Sequence, residues 1–430
     1  MSSCFRFPRP RPFFALAVLL TVAGAYAQEA TPTALTLREA LLRAADRNPS
    51  LLAQGYEERA AEALIEQAGL RPNPTLDVGL ENFAGTGAVQ GVRGLEATVQ
   101  ASQTLERGGK RAKRVALAGR EREAAAAAFA VRRAEVLSAS ALAYLETLAA
   151  QQRVMLAAEP LKLARETVSS VELRVSAGAA SPAESARARA ALAASQADFA
   201  RAEAGLAAAR AALAATWGGE PTEAATVTGL LRVPAELPAH DALLAKLAAH
   251  PRLELQQSVI AGRRAALELE RAQASQDVTV SGGVRFLRDG SDAAFVAGVS
   301  MPIPFRNKNQ GNIRAARETL AGAEQGVRAV EVELRAEFTA AWQALAAAHS
   351  AAQSLRRDAL PATEEAYAAV RRAYEQGQLP LIDVLDAQRA LVALRKDLLE
   401  TEIAYASALT RAEALTDASF AAVSALISQP

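Results

Sequence analysis

The chain has 430 residues, with 48 lysines and arginines against 47 aspartates and glutamates, so its formal net charge is +1. This balance does not support nucleic-acid binding, which an excess of basic residues would favour. Hydrophobic residues make up 51% of the chain but aromatic residues only 5%, and much of the apolar share is alanine, the strongest helix former. The composition therefore predicts long, closely packed helices rather than a core of large side chains.

The first 27 residues have the pattern of a secretory signal peptide. Arginines near the start precede a short apolar run from Phe13 to Ala23 and the small-residue motif Ala25-Tyr26-Ala27. That run is too short to span a bilayer as a helix. The single cysteine, Cys4, lies inside this segment, so the mature chain is expected to have no disulfide and no lipid anchor on an N-terminal cysteine.

The rest of the sequence consists of two similar halves. Ala40-Leu41-Leu42, followed by Pro49, recurs as Ala242-Leu243-Leu244, followed by Pro251, at an offset of 202 positions. A nearly constant offset across a whole half predicts a two-fold internal repeat. The predicted parts are the repeats at residues 28–217 and 240–416, a proline-containing connector at 218–239, and a loosely ordered C-terminal tail at 417–430.

Each half has the same order of elements. A helical region, broken in the first half at Asn48-Pro49, precedes two segments with period-two alternation, which are predicted to be β-hairpins at about residues 74–103 and 277–303. A long antiparallel helical hairpin follows each one, at about residues 108–216 and 311–416. Pro160 and Pro361 are expected to mark matching helix breaks or kinks.

The predicted strands have the length of membrane-crossing strands. A soluble sheet with one buried face is the commoner structure for such a pattern, but four strands in an otherwise helical chain cannot build its core. Four strands also cannot close a barrel, and lipid does not tolerate open edges, so the pattern predicts an oligomer that pools its hairpins. The side chains expected to face lipid are Leu76, Val78, Leu80, Val278, Val280, Val284, Phe286, Phe295 and Val299.

Four segments give the sequence a resemblance to the outer-membrane efflux proteins of the TolC family, which covers nearly all of the chain after residue 27. They lie at residues 37–51, 103–111, 301–305 and 374–387. The last one, Tyr374 to Ala387, reads YEQGQLPLIDVLDA and is the most specific. The residues at 108–111 and the turn after Met301 are most similar to the CzcC-like and CusC-like branch, which serves heavy-metal efflux.

The resemblance implies a mainly α-helical fold with a small membrane β part. Three copies would form a twelve-stranded β-barrel in outer-membrane lipid and continue as a hollow α-barrel of long helical hairpins in the periplasm. It implies no cofactor and no enzymatic activity, but a passive channel for heavy-metal cations that works with a periplasmic adaptor (membrane fusion protein) and an inner-membrane pump of the RND type. Drug efflux or type I protein secretion remains an alternative, and a soluble periplasmic coiled-coil adaptor or scaffold is a more distant one.

Asp383 and Asp386 are the candidate gate residues. They are three positions apart and share one helix face, shortly after Pro380, where negative charge also suits the helix dipole. By the resemblance, they face the lumen at the periplasmic mouth, where three copies would form a ring of carboxylates that attracts cations. The exposed tips that would dock the adaptor are Gly178, Ala179, Ser181, Pro182, Gly377, Gln378, Leu379 and Pro380.

The sequence offers no catalytic or metal-binding constellation. His240, His250 and His349 have no histidine partner at helical spacing, and no cysteine accompanies them. The glycines of Gly108-Gly109-Lys110-Arg111 lack the spacing of a phosphate-binding loop and are expected to allow the change from strand to helix. The basic side chains that follow are expected at the membrane edge: Lys110, Arg111, Lys113 and Arg114.

Overall fold

The computed structural model describes residues 34–416 and 419–428. The predicted signal segment, residues 1–27, lies outside the described residues. The described chain is mostly helical and contains one antiparallel sheet of four strands, which confirms the predicted fold class of two halves with two strands and a long helical hairpin each. No described helix carries an apolar stretch long enough to cross a bilayer.

The first half begins with a capped helix. Its elements are α1 (Leu37–Arg47), α2 (Pro49–Gly69), β1 (Thr75–Glu81), β2 (Glu96–Leu105), α3 (Lys110–Ser176) and α4 (Pro182–Ala215). The Thr36 hydroxyl accepts the N–H of Glu39 at 3.3 Å, and the Glu39 carboxylate accepts the N–H of Thr36 at 2.9 Å. Asn48 ends α1, and its side-chain oxygen accepts the first N–H groups of α2 at 2.9 and 3.0 Å. The predicted break at Asn48-Pro49 is therefore confirmed.

The second half differs from the first at its proline. Its elements are α5 (His240–Lys246), α6 (Pro251–Gln273), β3 (Val278–Leu287), β4 (Asp292–Ser300), α7 (Gln310–Ser354), α8 (Leu360–Glu375) and α9 (Leu381–Thr416). A π-helical turn, Leu355–Ala359, separates α7 from α8 just before Pro361. Pro160, in contrast, lies inside α3, which continues for 67 residues. The prediction of a helix break at Pro160 is therefore wrong, because packing against α2, α4, α6 and α9 compensates for one lost hydrogen bond in α3; a kink at Pro160 stays a prediction.

The sheet joins the two halves edge to edge. Its order is β1-β2-β3-β4, and all neighbours are antiparallel. The central pair, β2 and β3, comes from different halves and runs from Glu96 opposite Leu287 to Leu105 opposite Val278. Within the described residues, β1 and β4 are therefore each paired on one side only.

The largest buried cluster joins the long hairpins to the connector. Its members include Tyr144, Leu148, Leu213, Trp217, Val227, Leu345, Tyr405 and Leu409. The Tyr144 hydroxyl lies 2.9 Å from the carbonyl oxygen of Leu35 and 2.6 Å from that of Thr228, and burial raises the pKa of this phenol. The tyrosine thus ties the start of the described chain to the connector.

The C-terminal segment is part of this cluster. Residues 421–428 form α10 (Ala421–Ser428), and Phe420, Val423 and Ile427 are 1%, 0% and 4% exposed. The Glu413 carboxylate accepts the N–H groups of Ala422 at 2.8 Å and Val423 at 3.0 Å, near the start of that helix. The expectation of a loosely ordered tail is therefore wrong for residues 419–428, because their apolar side chains complete the core.

Candidate functional site

The two predicted tips lie side by side at one end of the helices. Gly178 and Gly377 have φ values of +70° and +76°, a left-handed conformation that glycine adopts without strain. Behind the turns, side chains from both hairpins form a small buried cluster, here called the tip cluster: Val171, Ala188, Leu381 and Leu385. The remaining predicted tip residues lie on these two turns or at the helix starts that follow: Ala179, Ser181, Pro182, Gln378, Leu379 and Pro380.

A polar contact also joins the tips. The Arg174 guanidinium donates to the Tyr374 hydroxyl at 2.5 Å, and its central carbon lies 5.4 Å from the centre of the tyrosine ring. A second guanidinium nitrogen lies 3.4 Å from the carbonyl oxygen of Ala179. Neither Arg174 nor Tyr374 is among the tip residues that the sequence predicts. Arg174 lies four positions before Gly178 and Tyr374 lies three positions before Gly377, so the repeat places both residues near the tips but not at equivalent positions.

The predicted gate residues lie in the first turns of α9, beside the tip cluster. Asp383 is half-buried, and its N–H donates to the carbonyl oxygen of Pro380 at 3.2 Å. Asp386 is exposed and forms an ion pair with Arg389 at 2.7 Å. Arg389 is not among the predicted gate residues, although its i,i+3 spacing from Asp386 indicates this pair. An ion pair this exposed contributes little to stability, and the Asp386 carboxylate stays in contact with solvent.

The strand register places all nine predicted lipid-facing side chains on one face of the sheet. Val78 is opposite Val99, Val99 is opposite Val284, and Val284 is opposite Phe295, so a row of large apolar side chains crosses all four strands. Seven of these side chains are exposed, with Leu76 at 71% and Phe295 at 93%, whereas Val278 and Val284 are half-buried. No part of the described chain covers this face.

The opposite face of the sheet is polar. The Arg285 guanidinium donates to the Glu96 carboxylate at 2.9 Å and to the Thr98 hydroxyl at 3.1 Å, and Glu81 lies 3.8 Å away. The Ser102 hydroxyl donates to Asp77 at 3.0 Å. The sheet thus has one apolar and one hydrated face, as a wall between lipid and water requires.

Three of the four cations predicted at the membrane edge are paired within the chain. Lys110 lies 2.8 Å from Asp277, Lys113 lies 3.4 Å from Glu268, and Arg114 forms a two-pronged ion pair with Glu106. The Arg114 hydrogen bonds hold the pKa of Glu106 below its usual range. These pairs connect the junction between β2 and α3 to α6 and to Asp277, the residue before β3. Within the described residues, Arg111 is the only one of these four cations without an ion pair.

Gly108 and Gly109 allow this junction to form. Both have φ near +70°, as the predicted change from strand to helix requires. At Gly108 a β-carbon would lie 2.6 Å from the Ser275 side-chain oxygen and 3.0 Å from the carbonyl oxygen of Ala272, whereas at Gly109 no atom lies within 4 Å. Glycine at position 108 is therefore favoured both by the left-handed backbone and by the lack of space for a β-carbon.

The three histidines have structural contacts. His250 caps α6, its ring nitrogen accepting the N–H of Arg252 at 3.1 Å. The His240 ring packs at 5.0 Å from the Trp342 ring, and His349 lies 3.0 Å from the carbonyl oxygen of Pro234. Within residues 34–416 and 419–428, no three His, Cys, Asp or Glu side chains are grouped so that they could hold a metal ion.

Comparison with known proteins identifies the family of this chain. A family profile described as "Outer membrane efflux protein" matches residues 40–219 and again residues 247–417. This chain belongs to that family. The efflux protein is 32% identical to the cobalt-zinc-cadmium resistance protein CzcC of Cupriavidus metallidurans, over 84% of this chain and 85% of that protein. It is 36% identical to the nickel and cobalt resistance protein CnrC of the same organism, over 76% of each chain.

Solved structures share its fold. The outer-membrane channel OprN matches with a TM-score of 0.75 over 88% of this chain and 89% of that one, at 19% identity. Family membership locates the efflux protein in the outer membrane, with its helices extending into the periplasm. It also excludes the soluble periplasmic adaptor or scaffold as an interpretation, and the relatives are efflux proteins rather than enzymes.

Proposed function

We propose that three copies of this chain join their sheets into one closed cylinder of twelve strands and conduct metal cations out of the periplasm. One observation carries the proposal: a four-stranded sheet with an exposed apolar face and two unpaired edges, β1 and β4. An open edge leaves N–H and C=O groups without partners, which lipid does not tolerate. Pairing β4 of each copy with β1 of the next removes every edge.

Light scattering of the detergent-purified protein, followed by conductance in planar bilayers, tests the assembly. We expect a mass of three chains and stable ion-conducting steps. A protein that is monomeric and freely soluble without detergent would contradict the proposal, because its apolar sheet face would then not need contact with lipid or detergent.

For the cargo, we propose heavy-metal cations of the cobalt, nickel, zinc and cadmium class. The names of CzcC and CnrC support this class. Expression together with a metal-type pump and adaptor, in a host that lacks its own outer-membrane component for metal efflux, should raise tolerance to these ions. Rescue of drug efflux or of protein secretion without any gain in metal tolerance would favour the alternative outlets.

The tips are proposed to dock a periplasmic adaptor, which connects the channel to an inner-membrane pump of the RND type. Both turns are exposed at the end of the long hairpins, and no atom lies within 4 Å of a β-carbon built on Gly178 or Gly377. Replacing either glycine by aspartate should weaken cross-linking to the adaptor while trimers still form. Gly205→Asp, on the exposed surface of α4, is the matched control. Unchanged cross-linking in both tip variants would rule out docking there.

Asp383 and Asp386 are proposed to form the cation-attracting ring at the channel mouth. Their position beside the tip cluster and the accessibility of Asp386 support this role. Replacing both by asparagine should lower the preference for cations over anions in single-channel recordings. Asp397→Asn, an exposed position further along α9, should leave selectivity unchanged. Equal selectivity in the double variant and the parent protein would exclude the ring as the filter.

A further inference from the structure

At the helical end of the sheet, the apolar face continues beyond the last residue of β4. Met301, Ile303 and Phe305 extend its alternate-residue apolar pattern and are 49%, 80% and 87% exposed. Pro302 and Pro304 lie between them and cannot donate hydrogen bonds to a neighbouring strand. The chain thus leaves the sheet through a segment with large exposed apolar side chains; residues 301–308 are called the anchor segment below.

The regular part of the apolar face is short for a membrane. From Phe286 to Val278, β3 rises about 26 Å, which at a tilt of about 40° covers about 20 Å of thickness. The apolar band of outer-membrane proteins built from strands is about 25 Å tall. Thr279 pairs with Ser300, so Ile303 and Phe305 lie beyond the last apolar row and provide the missing thickness on the periplasmic side.

Three exposed cations lie at this end of the face: Arg107, Arg306 and Lys308. None of them forms an ion pair within the part of the chain that the structure describes, unlike the three paired cations of the β2–α3 junction. Arg107 places a guanidinium nitrogen 3.5 Å from the sulfur of Met301. Cationic side chains without an ion pair therefore lie where the apolar surface ends, near the Glu270 and Asp277 carboxylates, which accept the Asn309 amide at 2.6 Å and the Arg107 N–H at 3.0 Å.

A cleft of about 550 Å³ opens between the anchor segment and the end of α6. Ile303 and Phe305 supply its apolar wall, and Arg306 and the carboxamides of Gln273 and Gln276 supply its polar wall. One cation and neutral hydrogen-bonding groups beside an apolar wall match the phosphate and glycerol-ester region of a phospholipid.

We propose that the anchor segment and Arg107 form a membrane-interface anchor that binds phospholipid on the periplasmic side of the bilayer. Ile303 and Phe305 enter the acyl boundary, while the exposed cations hold phosphate groups. The proposal rests on the proposed placement of the apolar sheet face in lipid. Continuity with that face and the three exposed cations without ion pairs favour lipid over a neighbouring copy of the chain as the occupant.

Spin labels at single cysteines test the location of the anchor. In a Cys4→Ser background the chain has no other cysteine, so Phe295→Cys, Phe305→Cys and Val332→Cys can each be labelled in proteoliposomes. Collision with oxygen reports lipid, and collision with a water-soluble nickel complex reports water. We expect lipid exposure at position 295, an intermediate value at 305, and water exposure at 332 on α7.

The other results of this labelling experiment overturn either the anchor alone or the anchor together with the placement of the sheet in lipid. A label at position 305 that behaves like the one at 332 overturns the anchor, and so does an immobile label shielded from both reagents, because a second copy would then be the occupant. If the label at 295 also contacts water, the placement of the sheet in lipid is wrong, and that result refutes the proposed function as well as the anchor.

A charge test checks the headgroup contact in the intact trimer. Arg107, Arg306 and Lys308 are replaced together by glutamine, and the preference for phosphatidylglycerol over phosphatidylcholine is measured with spin-labelled lipids. The preference should fall by up to roughly fivefold per cation removed. The control replaces Arg328, Arg335 and Arg357, exposed cations on the periplasmic helices, and should leave it unchanged. Equal lipid preference in the two triple variants overturns the proposal.

Discussion

Replacing Tyr374 by phenylalanine removes a single hydroxyl group from the contact between the two tips. The aromatic ring, and with it the 5.4 Å approach of the Arg174 guanidinium, is retained. The change therefore isolates the 2.5 Å hydrogen bond that joins one hairpin to the other. If separation of the hairpins opens the channel mouth, this variant should open more often than the parent protein.

The size of the effect follows from the contact. A hydrogen bond to a charged group is worth about 1.5–3 kcal/mol, and both partners are half-exposed, so the lower limit of about 1.5 kcal/mol applies. This corresponds to a shift of roughly tenfold in the equilibrium between joined and separated tips of one chain. If three tips open together, the shifts multiply to roughly a thousandfold.

Single-channel recording of open time measures this shift. Tyr367→Phe is the matched control, since Tyr367 is also half-buried on α8 and its hydroxyl has no hydrogen bond within the described residues. A tenfold rise in open probability would indicate independent tips, and a much larger rise would indicate concerted opening. Open times of Tyr374→Phe equal to those of both the control and the parent protein would refute the idea that this bond holds the mouth closed.

Three further predictions concern stability. Phe420→Ala should lower the free energy of unfolding by about 3 kcal/mol, which is measured as dissociation of the trimer at a lower temperature. An unchanged dissociation temperature would mean that the C-terminal segment does not complete the core. Gly109→Ala should cost only the left-handed strain of about 1 kcal/mol, while Gly108→Ala should cost more, because its β-carbon meets Ser275 and the backbone of Ala272. Equal trimer yields for the two variants would contradict that packing argument. Burial raises the pKa of Glu402 despite its ion pair with Arg356. The stability that the protonated carboxyl contributes is therefore present at a pH below its pKa in the unfolded chain. It is lost as the pH rises through its pKa in the folded protein. Glu402→Gln should therefore gain thermal stability relative to the parent protein as the pH rises from about 4, and a constant difference across that range would contradict the assignment.

Much of the architecture was predictable because its signals are local. Thr36 and Asn48 start helices through bonds to residues two or three positions away, and the alternation in β3 and β4 depends only on neighbouring residues. The internal repeat extended these local signals to the second half, and the motif after Tyr374 indicated the family.

Other features depended on contacts between residues far apart in the sequence. The sequence predicts the basic run after Gly109 at the membrane edge, and only the structure shows that Lys110 is paired with Asp277, which lies 167 positions away. Nothing in the local sequence distinguishes Lys110 from Arg111, for which the described part of the chain supplies no such partner. The repeat likewise suggested that Pro160 and Pro361 are equivalent, but only the packing around α3 decided that Pro160 leaves its helix intact.

The sequence by itself determined the element order and the two-sided strands, since periodicity and caps are properties of the chain, and its strand number predicts an assembly of several copies. The tertiary structure decided which tip residues meet, which cations remain unpaired and how the C-terminal segment is held. Those outcomes depend on distances between side chains from different elements, which arise only when the elements pack together.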